Sequence, residues 1–490
     1  MGIPTESSPD PLRDLALERN GRLPLYVQLY RQLRGLILRG DLLPGQQLPP
    51  SRRLAATLAV ARVTVTQAYD QLRDEGYAIS HPGAGLFVAD ELADALPAAV
   101  AERPFQPTLS RWGQQVIATE PVAETAVSRP AIDFGFDRSF GQIFPYDIWR
   151  RLLARYLAAD DAILARYGSA AGFYPLRAAL SDYLARERGV RCTPEQVVIV
   201  SGAQQMLDIL ARLLLNWGDE VLVETPGYTV AYDLLHLYGA RLVGLPVDDA
   251  GFPVERISPH SQARLIFVTP THQFPRGGAM SLPRRLRLLA WAQEHQAFII
   301  EDDYDGELRY NGRPLAALQG LDEAGCVIYL GTFSKVLFPA LRLGYVVLPP
   351  ALLAPFVQAK SLIDRGAPTL TQAAVADFIT EGHFERHLQQ LRQAYGRRRA
   401  VLVAAIERYL PERVRYVRLA AGLHLMLHLG EGVSETAVVA QAASLGVGVY
   451  PGAPYYLEQP APPSILLGFS GLEETEIEEG VRRLAGVLGD

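Results

Sequence analysis

Between residues 197 and 335 the chain shows one pattern five times: a short apolar run stops at a cluster of polar residues. The runs are Val197–Val200, Glu220–Val223, Leu265–Val268, Phe298–Ile300 and Val327–Leu330. The clusters that follow are Ser201-Gly-Ala-Gln-Gln205, Glu224-Thr-Pro-Gly-Tyr228, Thr269-Pro-Thr-His-Gln-Phe-Pro275, Glu301-Asp-Asp-Tyr-Asp305 and Gly331-Thr-Phe-Ser-Lys335. Runs this short, rich in β-branched residues and apolar except at Glu220, suit strands buried on both faces. With helical stretches between them they predict an α/β domain around a mostly parallel sheet. In open sheets of that kind ligands bind beyond the C-terminal strand ends. Five such ends carrying chemistry-bearing residues predict one convergent site.

The residue types in the clusters suggest what that site holds. Ser201-Gly202-Ala203-Gln204 opens a helix, where unpaired N–H groups can hold a phosphate. Asp302, at a strand end, can pair with a protonated ring nitrogen. Tyr228 can lie over a ring face or bond a ring substituent, and Arg342 can reach a phosphate as a fork. Each feature also has a plain structural reading: Asp302 and Asp303 suit a helix cap or a metal-ligand pair, Gly202 a turn, Tyr228 a core position and Lys335 the surface. Composition weighs on the last of these. The chain has 47 lysines and arginines, yet lysine occurs only at Lys335 and Lys360. Arginine stays protonated and cannot form a Schiff base, whereas lysine can lose its proton and do so. Lys335 is therefore read as a reactive amine. Lys360 is read as a residue of a general surface drift from lysine to arginine. Phosphate donors, ring acid, ring-contacting tyrosine and Schiff-base lysine are together what a pyridoxal phosphate protein must supply.

A different module precedes this one. Leu25, Leu29, Leu33, Leu36 and Ile37 fall at helical spacing, and Gly40, Pro44 and Gly45 end that helix. A second helix is expected from Ser51, a plausible cap, through Leu58. After the turn Ala59-Val60-Ala61, a third helix buries Val65, Ala68, Tyr69 and Leu72 and turns Arg62, Thr66, Gln67 and Asp70 outward. Polar and basic residues opening a helix after so short a turn fit a recognition helix in a DNA major groove. Tyr77–Ile79 and Leu86–Val88 predict a two-stranded wing around His81–Gly85. Residues 24–88 carry seven arginines and four acids, against a net charge of −6 for the whole chain. A basic module in an acidic chain is the footprint of phosphate contact. A helical dimerisation module with a solvated basic face remains the alternative.

Residues 1–21 read as a loose leader. The stretch from Ala89 to Arg129, broken by Pro97, Pro104, Pro107 and Pro121, reads as a linker with helical fragments at Glu91–Leu96 and Leu109–Ala118. The expected division is thus a DNA-binding domain at 22–89, a linker at 90–130 and an α/β domain at 131–490. Two cysteines, Cys192 and Cys326, make no disulfide framework and fit a reducing cytoplasm. No window approaches eighteen consecutive apolar residues, which argues against a membrane span. Met1–Asp10 lacks the basic and apolar regions of a secretory signal. No metal site is expected.

Two resemblances then become plain. Pro24-Leu-Tyr-Val-Gln-Leu, Pro44-Gly-Gln-Gln-Leu-Pro-Pro-Ser-Arg-Arg-Leu-Ala, Val60-Ala-Arg-Val-Thr-Val and Glu75-Gly-Tyr resemble the winged helix-turn-helix of GntR-type regulators. Tyr167-Gly-Ser-Ala-Ala-Gly, Ser201-Gly-Ala-Gln-Gln, Glu301-Asp-Asp-Tyr-Asp, Gly331-Thr-Phe-Ser-Lys and Arg342-Leu-Gly-Tyr resemble fold type I aminotransferases. Fused in this order, the chain is similar to MocR/GabR-type transcriptional regulators. The resemblance implies a fold type I aminotransferase-like body, with a mostly parallel sheet, flanking helices and a smaller C-terminal α+β subdomain. It implies Lys335 as the Schiff-base lysine, with Ala203, Gln204, Tyr228, Asp302, Tyr304, Thr332 and Arg342 around the cofactor. Among these, Asp302 serves the pyridine nitrogen, Tyr304 the ring hydroxyl, and Thr332 and Arg342 the phosphate. On the DNA side the candidate contacts are Arg52, Arg53, Arg62, Thr64, Thr66, Gln67 and Gly83.

Departures from the family pattern bear on the ligand. Ala61 and Val63 stand where small polar residues are usual. The aminotransferase Asn-Pro-Thr-Gly loop becomes Phe274-Pro-Arg-Gly277. Val230 occupies the position of a ligand-site arginine in the GABA-sensing regulator, and Leu467–Leu472 contains no arginine for a substrate carboxylate. The main expectation is a cytoplasmic, homodimeric regulator that binds promoter DNA and senses a small amine, an amino acid or pyridoxal phosphate itself by exchange at Lys335. The competing expectation is a working aminotransferase with a helical appendage.

Overall fold

The computed structural model describes residues 11–92, 108–119, 130–135, 143–158 and 165–489. Two compact units divide the chain, Met1–Thr108 and Leu109–Asp490.

In the first unit, α1 (Leu25–Leu38), α2 (Ser51–Thr57) and α3 (Arg62–Asp74) precede a wing of β1 (Ala78–His81) and β2 (Gly85–Val88). Leu29, Leu33 and Ile37 of α1 interlock with Leu54 of α2 and with Val65, Ala68 and Leu72 of α3, all nearly inaccessible. Each such side chain contributes about 1.5–3 kcal/mol over its exposed state. The wing strands pair antiparallel from Ala78↔Val88 to His81↔Gly85, and Leu48 N–H donates to Leu86 O at 2.8 Å, tying the wing to the entry of α2. Gly83, with φ +78°, makes the tight turn. Two expectations change. Ser51 does not cap α2. Pro50 occupies that position, and the Ser51 hydroxyl instead accepts from Arg62 Nε at 3.1 Å, bridging α2 to α3. Nor is the leader loose from residue 11 on: Gln32 bonds both polar groups of the Ala16 backbone, and Leu12, Leu15 and Leu17 pack on the helical core.

In the second unit, α4 (Arg111–Ala118), β3 (Ile132–Asp133), α5 (Tyr146–Ala158) and α6 (Tyr174–Arg188) lead to the sheet. Of the two helical fragments expected in the linker, α4 is one; the other, past Leu92, lies outside the described residues, as does most of 90–130. Then come β4 (Val197–Val200), α7 (Ala203–Leu214), β5 (Glu220–Thr225), α8 (Thr229–Leu237), β6 (Arg241–Pro246), β7 (Leu265–Val268), α9 (Leu282–His295), β8 (Phe298–Asp302), β9 (Val327–Thr332) and β10 (Gly344–Val347). Helices α10 (Pro350–Ile363), α11 (Thr369–Thr380) and α12 (His383–Tyr409) lead to a smaller C-terminal part. It comprises β11 (Val414–Arg415), β12 (His424–Leu429), α13 (Glu435–Ser444), β13 (Val447–Gly448), β14 (Tyr450–Pro451), β15 (Ser464–Gly468) and α14 (Glu474–Leu488).

The main sheet has seven strands in the order β4-β10-β9-β8-β7-β5-β6. Strand β10 runs antiparallel to both neighbours, and the pairings from β9 to β6 are parallel. Burial on both faces explains the apolar runs. Val198 and Val200 pack among Met206, Leu207 and Leu210 of α7, while Val197 and Ile199 face Leu176 and Leu180 of α6. All five expected strands form, and β5, β8 and β9 each extend two residues into the polar cluster that follows. The smaller part is an α+β layer in which β11-β12-β15-β14 form an antiparallel sheet. The parallel pair β3 and β13 stitches the beginning of this unit to its end. Among the described residues no helix is long and apolar enough to cross a membrane.

Candidate functional site

Because β5, β7, β8 and β9 run in one direction, their C-terminal ends meet at one edge. There a cavity of about 280 Å³ opens. Ala203, Gln204, Tyr228, Asp302, Tyr304, Thr332, Lys335 and Arg342 all line it. The structure thus brings together every residue that the sequence assigned to the cofactor.

Local geometry explains each position. Gly202 opens α7 with φ +96°, a conformation that favours glycine, and no side chain caps the helix. The N–H groups of its first turn therefore lack intrahelical acceptors and face the cavity mouth. The Ser201 carbonyl accepts from Arg342 Nη2 at 3.2 Å, which draws the guanidinium to this turn. Arg342 itself holds a left-handed φ of +49°, uncommon for a residue with a Cβ. Lys335 sits in the loop between β9 and β10. Buried Phe333, Val336 and Leu337 anchor that loop. Phe333 N–H donates to Leu343 O at 3.1 Å, Ser334 N–H to Thr332 Oγ1 at 3.1 Å, and the His387 ring to Val336 O at 2.8 Å.

Asp302 ends β8 and is 6 % exposed. No described residue donates a hydrogen bond to its carboxylate. Burial, then the nearby Asp303, Asp305 and Glu224, push its pKa up to about 8, against the pull of Lys335. A protonated ring nitrogen is the partner such a carboxylate lacks. Asp303 is different. Arg188 grips it through two bonds of 2.8 Å, and Thr271 Oγ1 and Tyr329 OH donate at 2.5 and 2.6 Å. These bonds engage Asp303 with the protein, which removes the metal-pair reading of Asp302 and Asp303. Tyr228 stacks on Phe267 at 6.4 Å, and burial pushes its hydroxyl up to about 12. The Tyr304 hydroxyl meets His272 Nδ1 at 2.9 Å, and the same nitrogen lies 2.8 Å from Asp305.

Other wall residues were not foreseen as such. Phe274 stands edge-on to Tyr228, Tyr304 and His424, with centroids at 6.0, 5.7 and 5.3 Å. The altered loop at Phe274–Gly277 was the available signal for it. Leu423 and His424 reach the cavity from the C-terminal part, where no local motif marks them. His424 donates from Nε2 to Pro275 O at 3.0 Å, and burial drives its pKa down to about 3, so it lines the cavity as a neutral ring. Gln273 donates to the carbonyls of Pro226 and Phe274 and shapes the loop from behind. Arg276 faces elsewhere. It pairs with Asp249 at 2.6 Å on a separate open cleft of about 1040 Å³.

In the first unit, Arg52, Arg53, Arg62 and Gln67 are exposed around the openings of α2 and α3, and Gly83 is exposed at the wing tip. Thr64 and Thr66 are half-buried, and Thr66 Oγ1 lies 3.0 Å from both Arg62 O and Val63 O. Its proton is thus engaged within α3, leaving it an acceptor toward solvent. Val63 is 58 % exposed beside them, an apolar surface suited to a thymine methyl.

Comparison with known proteins matches both units. Residues 25–88 match the bacterial regulatory proteins of the gntR family, and residues 140–484 match aminotransferase class I and II. The chain is 40% identical to the probable rhizopine catabolism regulatory protein MocR of Rhizobium meliloti, over 96% of this chain and 95% of that one. It is 30% identical to the HTH-type pyridoxine biosynthesis transcriptional regulator PdxR of Corynebacterium glutamicum, over 94% and 96%. Among solved structures, Pyrococcus horikoshii kynurenine aminotransferase superposes with a TM-score of 0.70 at 30% identity, covering 80% of this chain and 97% of that one.

Proposed function

Because the chain belongs to the MocR-type regulators, GntR-type winged helices joined to a class I and II aminotransferase body, we propose that its cavity senses a small primary amine. It is a pyridoxal phosphate-dependent transcriptional regulator. The sensed molecule is an amine or an amino acid; the alternative signal is pyridoxal phosphate itself, an aldehyde that Lys335 would capture. The observation that carries the reading is Asp302, a buried carboxylate to which no described residue donates a hydrogen bond, in one cavity with Lys335.

When bound, pyridoxal phosphate supplies an aldehyde that condenses reversibly with primary amines. The chain's residues do the rest. Lys335 offers the amine that holds the aldehyde until another amine displaces it. Asp302 keeps a proton on the ring nitrogen, and the first turn of α7, Thr332 and Arg342 hold the phosphate. Tyr228 and Phe274 exclude water from the ring faces, which strengthens each charge interaction. With the cofactor bound, Lys335 would tie the β9–β10 loop to it, and loss of that tie would shift a balance between DNA-binding states. Two copies are proposed to assemble as a dimer on promoter DNA in the cytoplasm. The division into 22–89, 90–130 and 131–490 gives the DNA reader, its tether and the sensor.

Titrating the purified protein with candidate amines, while absorbance and promoter affinity are followed together, tests this. An amine that changes the spectrum and leaves DNA affinity untouched removes the sensor role. Steady release of keto acid from amino acids favours the aminotransferase alternative.

Two further results are expected. Asp302→Ala weakens pyridoxal phosphate binding by roughly tenfold to a hundredfold, the loss of one charge-assisted hydrogen bond; fluorescence titration measures it. Arg62→Ala weakens promoter binding and lowers the slope of log affinity against log salt by about one. An unchanged isotherm would remove Arg62 from the contact surface.

A further inference from the structure

Sequence reasoning left Lys360, the chain's second lysine, as a surface residue. The structure contradicts that. Lys360 is fully buried in the last turn of α10, and its ammonium donates to Asp364 Oδ2 at 2.5 Å. A buried charge persists only when paired and hydrogen-bonded. The pairing does not stop at Asp364. Gln205 Nε2 donates to the same Asp364 oxygen at 2.7 Å, and Gly366 N–H donates to the other at 2.8 Å. Burial alone would raise the Asp364 pKa. The bonds from Lys360, Gly366 and Gln205 outweigh it and hold the carboxylate below its ordinary value. At its other end the Gln205 amide oxygen accepts from Ser201 N–H at 2.9 Å.

The chain of contacts therefore ends on the turn that opens α7. The Ser201 peptide is gripped at its N–H by Gln205 and at its carbonyl by Arg342. With both ends of that residue fixed, the N–H groups of Gly202, Ala203 and Gln204 keep one direction. A side-chain amide can turn over. The Asp364 carboxylate prevents this, because it accepts only from the NH₂ end and so leaves the oxygen end for Ser201. Lys360 in turn fixes the carboxylate.

We propose that Lys360, Asp364 and Gln205 form a positioning relay that orients the Ser201–Gly202 turn for the cofactor's phosphate. Lys360, Asp364 and Gln205 do not line the cavity, so they act on it through the Ser201–Gly202 turn. It rests on the assignment of pyridoxal phosphate to the cavity, and the experiment separates the two. Full-length wild type, K360M and Q205M are titrated with pyridoxal phosphate and, separately, with pyridoxal, which has the aldehyde and ring but no phosphate. Each variant is expected to bind pyridoxal phosphate about tenfold more weakly, the scale of a hydrogen bond to a charged group. Pyridoxal affinity is expected to stay within about twofold of wild type. The double variant is expected to lose no more than about tenfold, because both substitutions cut one chain of contacts. Equal losses for both ligands, or none for either, would overturn the relay. Failure of wild type to bind either ligand would instead overturn the cofactor assignment. Should K360M not fold, Q205M alone decides, since it leaves the Lys360–Asp364 pair intact.

Discussion

Lys335→Ala purifies without the yellow colour of the wild type, and borohydride treatment with pyridoxal phosphate leaves no labelled peptide around residue 335. The expectation is strong because the chain offers no substitute. Lysine occurs at one other position, and that amine is buried against Asp364 at 2.5 Å rather than lining the cavity. Lys335→Arg is expected to be equally colourless, because a guanidinium stays protonated and cannot attack the aldehyde. Visible absorbance and peptide mass after reduction measure both variants. A reduced adduct on any other residue would break the assignment of Lys335.

Arg188→Ala lowers stability by about 3–5 kcal/mol, the cost of leaving a buried charge without its partner. Arg188 and Asp303 are both buried; they share two bonds of 2.8 Å, and Arg188 also donates to Gly306 O at 3.0 Å. Gly306 closes tightly on the pair: a Cβ there would come within 2.2 Å of Asp303 Oδ1 and 2.4 Å of Arg188 Nη2. An exposed pair provides the contrast. Arg397→Ala, which removes a 3.4 Å contact to Glu474 between half-exposed side chains, is expected to cost less than about 1 kcal/mol. Urea midpoints at unchanged slope measure both. Similar midpoints for the two variants would show that the Asp303 cluster carries little stability. The Arg188 variant should also bind cofactor more weakly, since Asp303 adjoins Asp302 at the end of β8.

How much of this the sequence disclosed follows from how local each signal is. A run such as Val197–Val200 is apolar because both its faces are covered, so its pattern reports its place in the sheet directly. Lys335 stood out because a chain rich in arginine kept an amine there. The same reasoning misjudged Lys360, because composition cannot tell a residue spared by drift from one held by a buried carboxylate. His424 and Leu423 were unreadable for another reason. They join the cavity through the packing of the C-terminal part, a contact made by a segment about eighty residues beyond the last site motif at Arg342. Ser51 illustrates a nearer failure. Its place before a helix suggested a cap, but Pro50 takes the position and frees the hydroxyl for Arg62.

The antiparallel strand β10 has one more consequence. It makes the segment carrying Lys335 a hairpin whose two feet, Thr332 and Gly344, are paired residue to residue across the sheet. Buried Phe333, Val336 and Leu337 fill the segment between those feet, so the sheet and the core together set the frame that presents Lys335 and Arg342 to the cavity.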